Sequence, residues 1–290
     1  MEKVKIIADS TADIPKSIAE KYKISIAPLK VVWPDGREEN DSWNPEEIED
    51  FYKRISEAEA LPKTSQPSPA DFEKLYEEAI KEGYEKIVVL CISSKLSGTY
   101  NSSLLASKSF DTPIHVVDTK LASAALGLIT IKTAELFEKG FGYDEVIKII
   151  DEDVEKRRFY AAFYVSNFDF LVKGGRVSKI QGFIGGMLKL KIGLIIDEEG
   201  GLTPFGKARG SKKALEMIKS KINELIPKGS KLRLMPVSAA ASKEAEEIAH
   251  VLSEDYSIAT MQTALMGKVI TTHVGPGTAG TAIEVIEWSK

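Results

Sequence analysis

The chain of 290 residues has one cysteine, Cys91, and three histidines. A lone thiol cannot close an internal disulfide or build a cysteine-rich zinc site, and it points to a reducing compartment, with the cytoplasm expected. No His/Cys/Asp spacing has the form of a zinc site, so no metal is expected. No G-x-x-x-x-G-K-[ST] run occurs, which leaves the chain without a P-loop for ATP. Long apolar runs are missing as well, since nothing approaches 18 consecutive apolar residues, and no stable membrane insertion is expected. The short apolar run within 1–10 ends at Asp9 with no small-residue cleavage pattern after it, so no signal peptide is expected there. A large charge excess is also absent. Against 39 Lys+Arg stand 43 Asp+Glu, a net of −4, too small to imply a nucleic-acid or membrane partner.

What remains is an ordinary globular composition, 43% hydrophobic and 28% charged, long enough for one large domain or two ordinary ones. A chain of this length buries roughly 75% of the surface its unfolded form exposes. Residues 1–157 carry 21 Lys+Arg and 30 Asp+Glu, a net of −9, and residues 158–290 carry 18 and 13, a net of +5. From Val165 to Leu215 there are nine basic residues against four acidic. Such a strip reads either as a surface with a partner or as an ordinary solvated face, and composition leaves both open.

The pattern along the chain is α/β. Val4–Ala8 reads as a buried strand, Lys86–Ile92 and Ile114–Val117 as strong β runs, and Ile24–Trp33 as an extended segment ending at Pro34-Asp35-Gly36. Helices are expected over Pro15–Tyr22 with Asp13 as cap, after Asn44-Pro45, after Ser68-Pro69, and over Leu121–Phe137 and Tyr143–Lys156. Strands alternating with helices predict a mostly parallel sheet flanked by helices. The later chain differs. Strands are expected at Phe159–Val165 and Lys189–Asp197, with a hairpin at Glu199-Gly200-Gly201 leading into Leu202–Phe205. Helices follow at Ser211–Leu225 and Ser242–Leu252, and strands at Leu232–Val237, Ser257–Thr263 and Lys268–Val274. This predicts a mixed or antiparallel second sheet with helices, and a division into domains 1–157 and 158–290 where charge and pattern both shift.

Five segments could carry chemistry. Asp9-Ser10-Thr11-Ala12-Asp13 follows the first strand, where open α/β sheets bind ligands. Its two carboxylates suit a phosphoryl group or a cation, yet a strand-end turn with Asp13 as cap explains them better. Lys63-Thr64-Ser65-Gln66-Pro67-Ser68-Pro69 is a hydroxyl-rich stretch stiffened by prolines. Ser68 serves the helix, while Thr64 and Ser65 exceed what a cap needs and suit a ligand oxygen. In Ser93-Ser94-Lys95-Leu96-Ser97-Gly98-Thr99-Tyr100, Ser97 stands at a predicted helix N-terminus favourable to anions, and Gly98 allows close approach to the backbone. A nucleophile elbow would need glycines on both sides of Ser97, which are missing. Lys173-Gly174-Gly175-Arg176-Val177-Ser178 suits a backbone nest for an anion or a helix C-cap followed by a new cap, and Arg209 adds to the same basic region. Finally, Gly275, Gly277 and Gly280 match G-x-G-x-x-G between a predicted strand and helix. Too few residues follow for the acidic strand of a dinucleotide site, so NAD is excluded and a glycine turn feeding a helix N-terminus remains. His273 stands just before that turn, whereas His115 and His250 read as structural.

Taken in order, Asp9-Ser10-Thr11-Ala12-Asp13, Thr64-Ser65-Gln66-Pro67-Ser68, Ser93 to Tyr100, Gly174-Gly175-Arg176 and His273-Val274-Gly275-Pro276-Gly277 resemble the DegV family nearly end to end. The resemblance implies two α/β domains with a long-chain fatty acid such as palmitate between them, and no cofactor. It implies that Thr64 and Ser97 hold the carboxylate, with Ser65 and Gly98 beside them and His273 close to the headgroup. It further implies a binding protein that is not an enzyme by itself, serving a separate fatty-acid kinase subunit that Arg209 would help engage; Arg176 and Arg209 are candidates for that docking surface or for stabilising an acyl phosphate. Many relatives carry a histidine in the segment matching Pro236-Val237-Ser238-Ala239, and this chain has none. The rival reading is a hydrolase or phosphatase built on Ser97 with His273, or on Asp9 with Asp13.

Overall fold

The structure, a computed structural model, describes residues 3–177 and 190–289. Strands β1 (Val4–Asp9), β2 (Ser25–Ala27), β6 (Lys86–Cys91) and β7 (Ile114–Asp118) form a parallel sheet in the order β2-β1-β6-β7. The Val/Ile-rich runs of the central strands β1 and β6 are buried, whereas the edge strands β2 and β7 are mostly half-buried. The chain leaves β1 toward β2 on one side and later fills β6 and β7 on the other. A crevice therefore opens at the carboxyl ends of β1 and β6, where the winding reverses. Asp9 joins those two ends, since its buried carboxylate accepts the Ile92 N–H at 2.5 Å.

Between β2 and β6 lies a small antiparallel sheet, β4 (Glu38–Asn40), β3 (Lys30–Val32) and β5 (Lys63–Ser65), in that order, with Val31 opposite Thr64. The predicted single segment Ile24–Trp33 is thus two strands in two sheets, broken at Pro28-Leu29. Helix α2 (Pro45–Glu57) is capped by Asn44, and α3 (Pro69–Lys81) by a capping box in which Ser68 and Asp71 each accept the other's backbone N–H.

The second sheet is mixed. Its order is β10 (Leu202–Arg209), β9 (Leu190–Ile196), β8 (Phe159–Val165), β14 (Thr278–Glu287), β11 (Lys231–Ala239), β12 (Ser257–Met261), with β13 (Ala264–Leu265) also on β11. Strands β12 and β13 run parallel to β11, and the other pairings are antiparallel. The Asp197 carboxylate organises the predicted hairpin by accepting the N–H groups of Glu199 and Gly201. The two halves are not separate layers, because helix α5 (Ala124–Glu138) lies between the two sheets and its residues are buried on nearly every side. One apolar core runs from Ile6 and Leu90 through Leu128 to Phe163 and Ala282. Charges brace the same junction: Lys132 on α5 contacts Asp153 at 2.6 Å and Glu284 at 3.1 Å, and Arg233 contacts Glu135 at 2.7 Å.

Three expectations are corrected. Lys268–Val274 is a helix, α10, and not a strand. Its β-branched run favours extension, but the tertiary partners Asp13 and Asp41, which accept the Gly267 and Lys268 N–H groups at its start, override that preference. The glycine turn therefore follows a helix and feeds strand β14, the reverse of the expected order, so it offers no helix N-terminus to an anion. Asp13 does not cap α1 (Lys16–Lys21): Pro15 occupies that position with no side-chain bond, and the Asp13 carboxylate turns toward Ser123 and Gly267. Gly175 closes α7 (Phe168–Gly174) in the left-handed conformation, as a C-cap should, and Ser178 lies outside the described residues.

Ser68→Ala removes half of the capping box that holds the stretch after β5. Urea denaturation should show a loss of about 1 kcal/mol with an unchanged m-value.

Candidate functional site

A cavity of about 540 Å³ lies between the inner face of the mixed sheet and the crevice at the end of β6. That volume is within the range of about 300–1,000 Å³ usual for small-molecule sites. Its walls are largely aliphatic: Leu29 and Ile92 from the first half, Ala124 and Ala125 at the start of α5, Phe163, Ile196 and Val237 from the mixed sheet, and Met266 and Val269 near α10. Alternation along the strands sends Val237 and Ala282 to this side.

Thr64, Ser65, Ser97, Gly98, Arg176 and His273 all line this cavity. Hydrogen bonds and close packing link several of the segments that carry them. Thr64, on β5, places its hydroxyl 2.8 Å from His273 Nε2 across 209 residues of chain. The Gln66 side chain crosses to α4 (Thr99–Ser107), donating to Ser102 Oγ at 3.0 Å. It packs so tightly on Gly98 that a Cβ there would stand 2.2 Å from Gln66 Oε1. Gly98 thus makes room for Gln66, which joins the two hydroxyl-bearing segments. Ser97 precedes the N-cap residue Gly98, and its Oγ lies 2.9 Å from Thr99 Oγ1. On the other flank, His273 Nδ1 rests against the Gly174 backbone without a well-formed hydrogen bond, and Arg176 donates to the Gly174 carbonyl at 2.7 Å.

Burial, and secondarily the Arg176 charge, push the His273 pKa down to about 4. The imidazole is therefore neutral at pH 7. With the proton on Nε2, it donates to Thr64 Oγ1 and frees the Thr64 O–H to donate into the cavity. Arg176 and Lys95, both exposed, bring positive charge to the cavity wall. Arg209 stands elsewhere, exposed at the end of β10 and not among the cavity-lining residues.

A nucleophile and its base need to lie within about 2.6–3.2 Å of one another. Ser97 is paired with Thr99 and His273 with Thr64. Asp9 and Asp13 are buried, with their carboxylates engaged by Thr11 and Ile92, and by Ser123 and Gly267. No hydrogen bond among the described residues joins Ser97 to His273 or Asp9 to Asp13. Among the described residues no group of three or more His, Cys, Asp or Glu is placed to hold a metal, and no helix is long and apolar enough to cross a membrane. Sequence reasoning quoted Gln66 without its bridging role, and it missed Asp41, Tyr52 and Lys268. Tyr52 Oη lies 2.6 Å from the Met266 carbonyl, a link over 214 residues that no local pattern announces.

Fold and cavity together define an α/β protein with a mostly aliphatic chamber between two sheets and a neutral polar patch in its wall. The chain belongs to the DegV family, whose model matches residues 3–285. It is 53% identical over 285 residues to a fatty acid-binding protein of Thermotoga maritima, covering 98% of this chain and 99% of that one. It is similar to the crystal structure of a DegV lipid binding protein from the same organism, with a TM-score of 0.94, 51% identity, and coverage of 99% and 100%. It shares its fold with the Fatty Acid Kinase (Fak) B3 protein of Streptococcus pneumoniae, solved loaded with linoleic acid, at a TM-score of 0.83, 24% identity, and coverage of 98% and 99%.

The His273 shift has a pH signature. Its folded pKa lies below the ordinary 6.5, so the unfolded chain binds more protons between pH 6.5 and about 4. Stability is lost as pH falls through that window, by up to about 3 kcal/mol. Asp9 and Asp41, raised to about 6 by burial, act oppositely: their contribution is present at low pH and lost as pH rises. Urea unfolding of wild type and His273→Gln across pH 4–7 isolates the histidine, since the aspartates are common to both. The wild type should lose more stability on acidification than the variant.

Proposed function

We propose that this chain binds a long-chain fatty acid, with the acyl chain in the cavity between the two sheets and the carboxylate at the patch formed by Thr64, Ser65, Ser97, Gly98 and His273. The observation that carries this reading is the joining of an aliphatic chamber to a single neutral hydroxyl–imidazole patch. Burying fourteen methylenes is worth roughly 11 kcal/mol gross. A hydrogen bond to a charged group adds about 1.5–3 kcal/mol. The tail then dominates affinity, and the hydroxyls decide which end sits where.

The chain acts as a carrier and not as an enzyme by itself, and it works in the cytoplasm. Phosphoryl transfer to the carboxylate belongs to a separate kinase subunit that brings ATP. Arg209, exposed at the end of β10, is a contact for that subunit, and Arg176, which lines the cavity, is a cation suited to an acyl phosphate formed at the patch. The family resemblance and the lack of a P-loop support this division. Residues 1–157 and 158–290 serve as the two domains that enclose the ligand.

Mass spectrometry of protein purified without denaturation should find one bound fatty acid, and delipidated protein should take one up. Failure of both sinks the proposal. In delipidated protein, Thr64→Val combined with Ser97→Ala should weaken palmitate binding by about tenfold or more. Binding of an uncharged alkane-like probe should change far less. Equal losses for both would refute the carboxylate assignment.

A further inference from the structure

Chain order places α10 with the mixed sheet, between β13 and β14, yet its first turn is held by the opposite half. The N–H of Gly267 is accepted by Asp13 Oδ1 at 2.8 Å, and that of Lys268 by Asp41 Oδ1 at 2.8 Å. The Lys268 side chain is also gripped there, by Glu39 at 3.3 Å, Glu47 at 3.2 Å and the Asn40 carbonyl at 3.1 Å. Each carboxylate keeps its second oxygen for a serine: Ser10 Oγ donates to Asp41 Oδ2 at 2.9 Å, and Ser123 Oγ to Asp13 Oδ2 at 2.5 Å. Ser123 heads α5, lines the cavity, and has φ 54 and ψ −146, a conformation that an L-residue keeps only when its surroundings impose it. Asp13 therefore fixes two walls of the cavity at once.

We propose that Asp13 and Asp41 are positioning residues for the polar end of the cavity, fixing the start of α10 against the first half so that His273, in its last turn, stays against Thr64. The inference rests on the reading of that patch as the carboxylate site. Free N–H groups at a helix start and the helix dipole favour carboxylates there. Serine caps would supply acceptors without burying charge. Here burial pushes Asp41 up to about 6 and Asp13 well above its ordinary value, with Asp41 adding repulsion. Such a pair is costly and is tolerated where it secures geometry. The space is tight: a Cβ on Gly267 would stand 2.9 Å from an oxygen of each carboxylate. A seven-residue helix is about 10 Å long and moves as a unit, so a shift at its start reaches His273.

The test follows the His273 ring by NMR in ligand-free protein, with His115 and His250 as internal controls. In wild type the Gly267 and Lys268 amides should exchange at least about 100-fold more slowly than exposed loop amides. Rapid exchange at both overturns the proposal without any variant. Asp13→Ala, and separately Gly267→Ala, should move the His273 pKa from about 4 toward 6.5 while the control histidines stay put. Asp13→Asn keeps an acceptor for Gly267 and a partner for Ser123, and should restore the wild-type titration. An unchanged His273 in folded Asp13→Ala and Gly267→Ala overturns the positioning role; should neither variant fold, the wild-type exchange rates decide. Palmitate affinity should fall about tenfold in Asp13→Ala. If wild type itself binds no palmitate, the fatty-acid reading fails while the His273 result still stands.

Discussion

The hydrogen bond between Thr64 Oγ1 and His273 Nε2, 2.8 Å long, joins the small antiparallel sheet of the first half to the helix that precedes the last strand. Without it the hydroxyl and the imidazole would be separate polar groups on separate elements. With it they form the centre of one patch, flanked by Gln66 and Gly98 on one side and by Gly174 and Arg176 on the other. The fold supplies the supports. The winding reversal at β1 and β6 opens the crevice, Asp9 ties its two edges, and α5 separates the sheets enough to leave a chamber between them.

If the patch takes the carboxylate as proposed, its electrostatics suit an acid that must bind and leave. A buried guanidinium against a carboxylate would hold the headgroup strongly but would cost several kcal/mol to desolvate. Neutral hydroxyls and a neutral imidazole avoid that cost while still offering donors. Arg176 stands exposed at the edge, where water screens it. Discrimination between the two ends of an amphipathic guest then needs no large electrostatic energy, because the aliphatic walls exclude the polar end and the patch rejects the apolar one.

Much of this was legible in the residues. The buried strands Val4–Asp9 and Lys86–Cys91 carry continuous apolar runs, and Asn44-Pro45 and Ser68-Pro69 announce their helices by cap chemistry. The hairpin at Gly200 was equally plain. The segment 268–274 was not, because Val269, Ile270, Thr271 and Thr272 favour extension and only distant partners, Asp13 and Asp41, hold them in a helix. Asp13 misled for the same reason: a carboxylate near a helix start looks like a cap, and its true partner lies 254 residues away. Thr64 and Ser65 stood out as hydroxyls beyond the needs of a cap, and Ser97 by its place at a predicted helix N-terminus, but nothing local marked Gln66, which links the two segments.

The orientation of the guest is the most direct test. Palmitate labelled with ¹³C at C2 in one sample and at the terminal methyl in another can be bound to delipidated protein and followed by NMR. The C2 protons should show short-range contacts to the Thr64 methyl and the His273 ring, and the terminal methyl should contact Phe163, Val237 or Met266. Terminal-methyl contacts at Thr64 and His273, or C2 contacts confined to the aliphatic walls, would contradict the account.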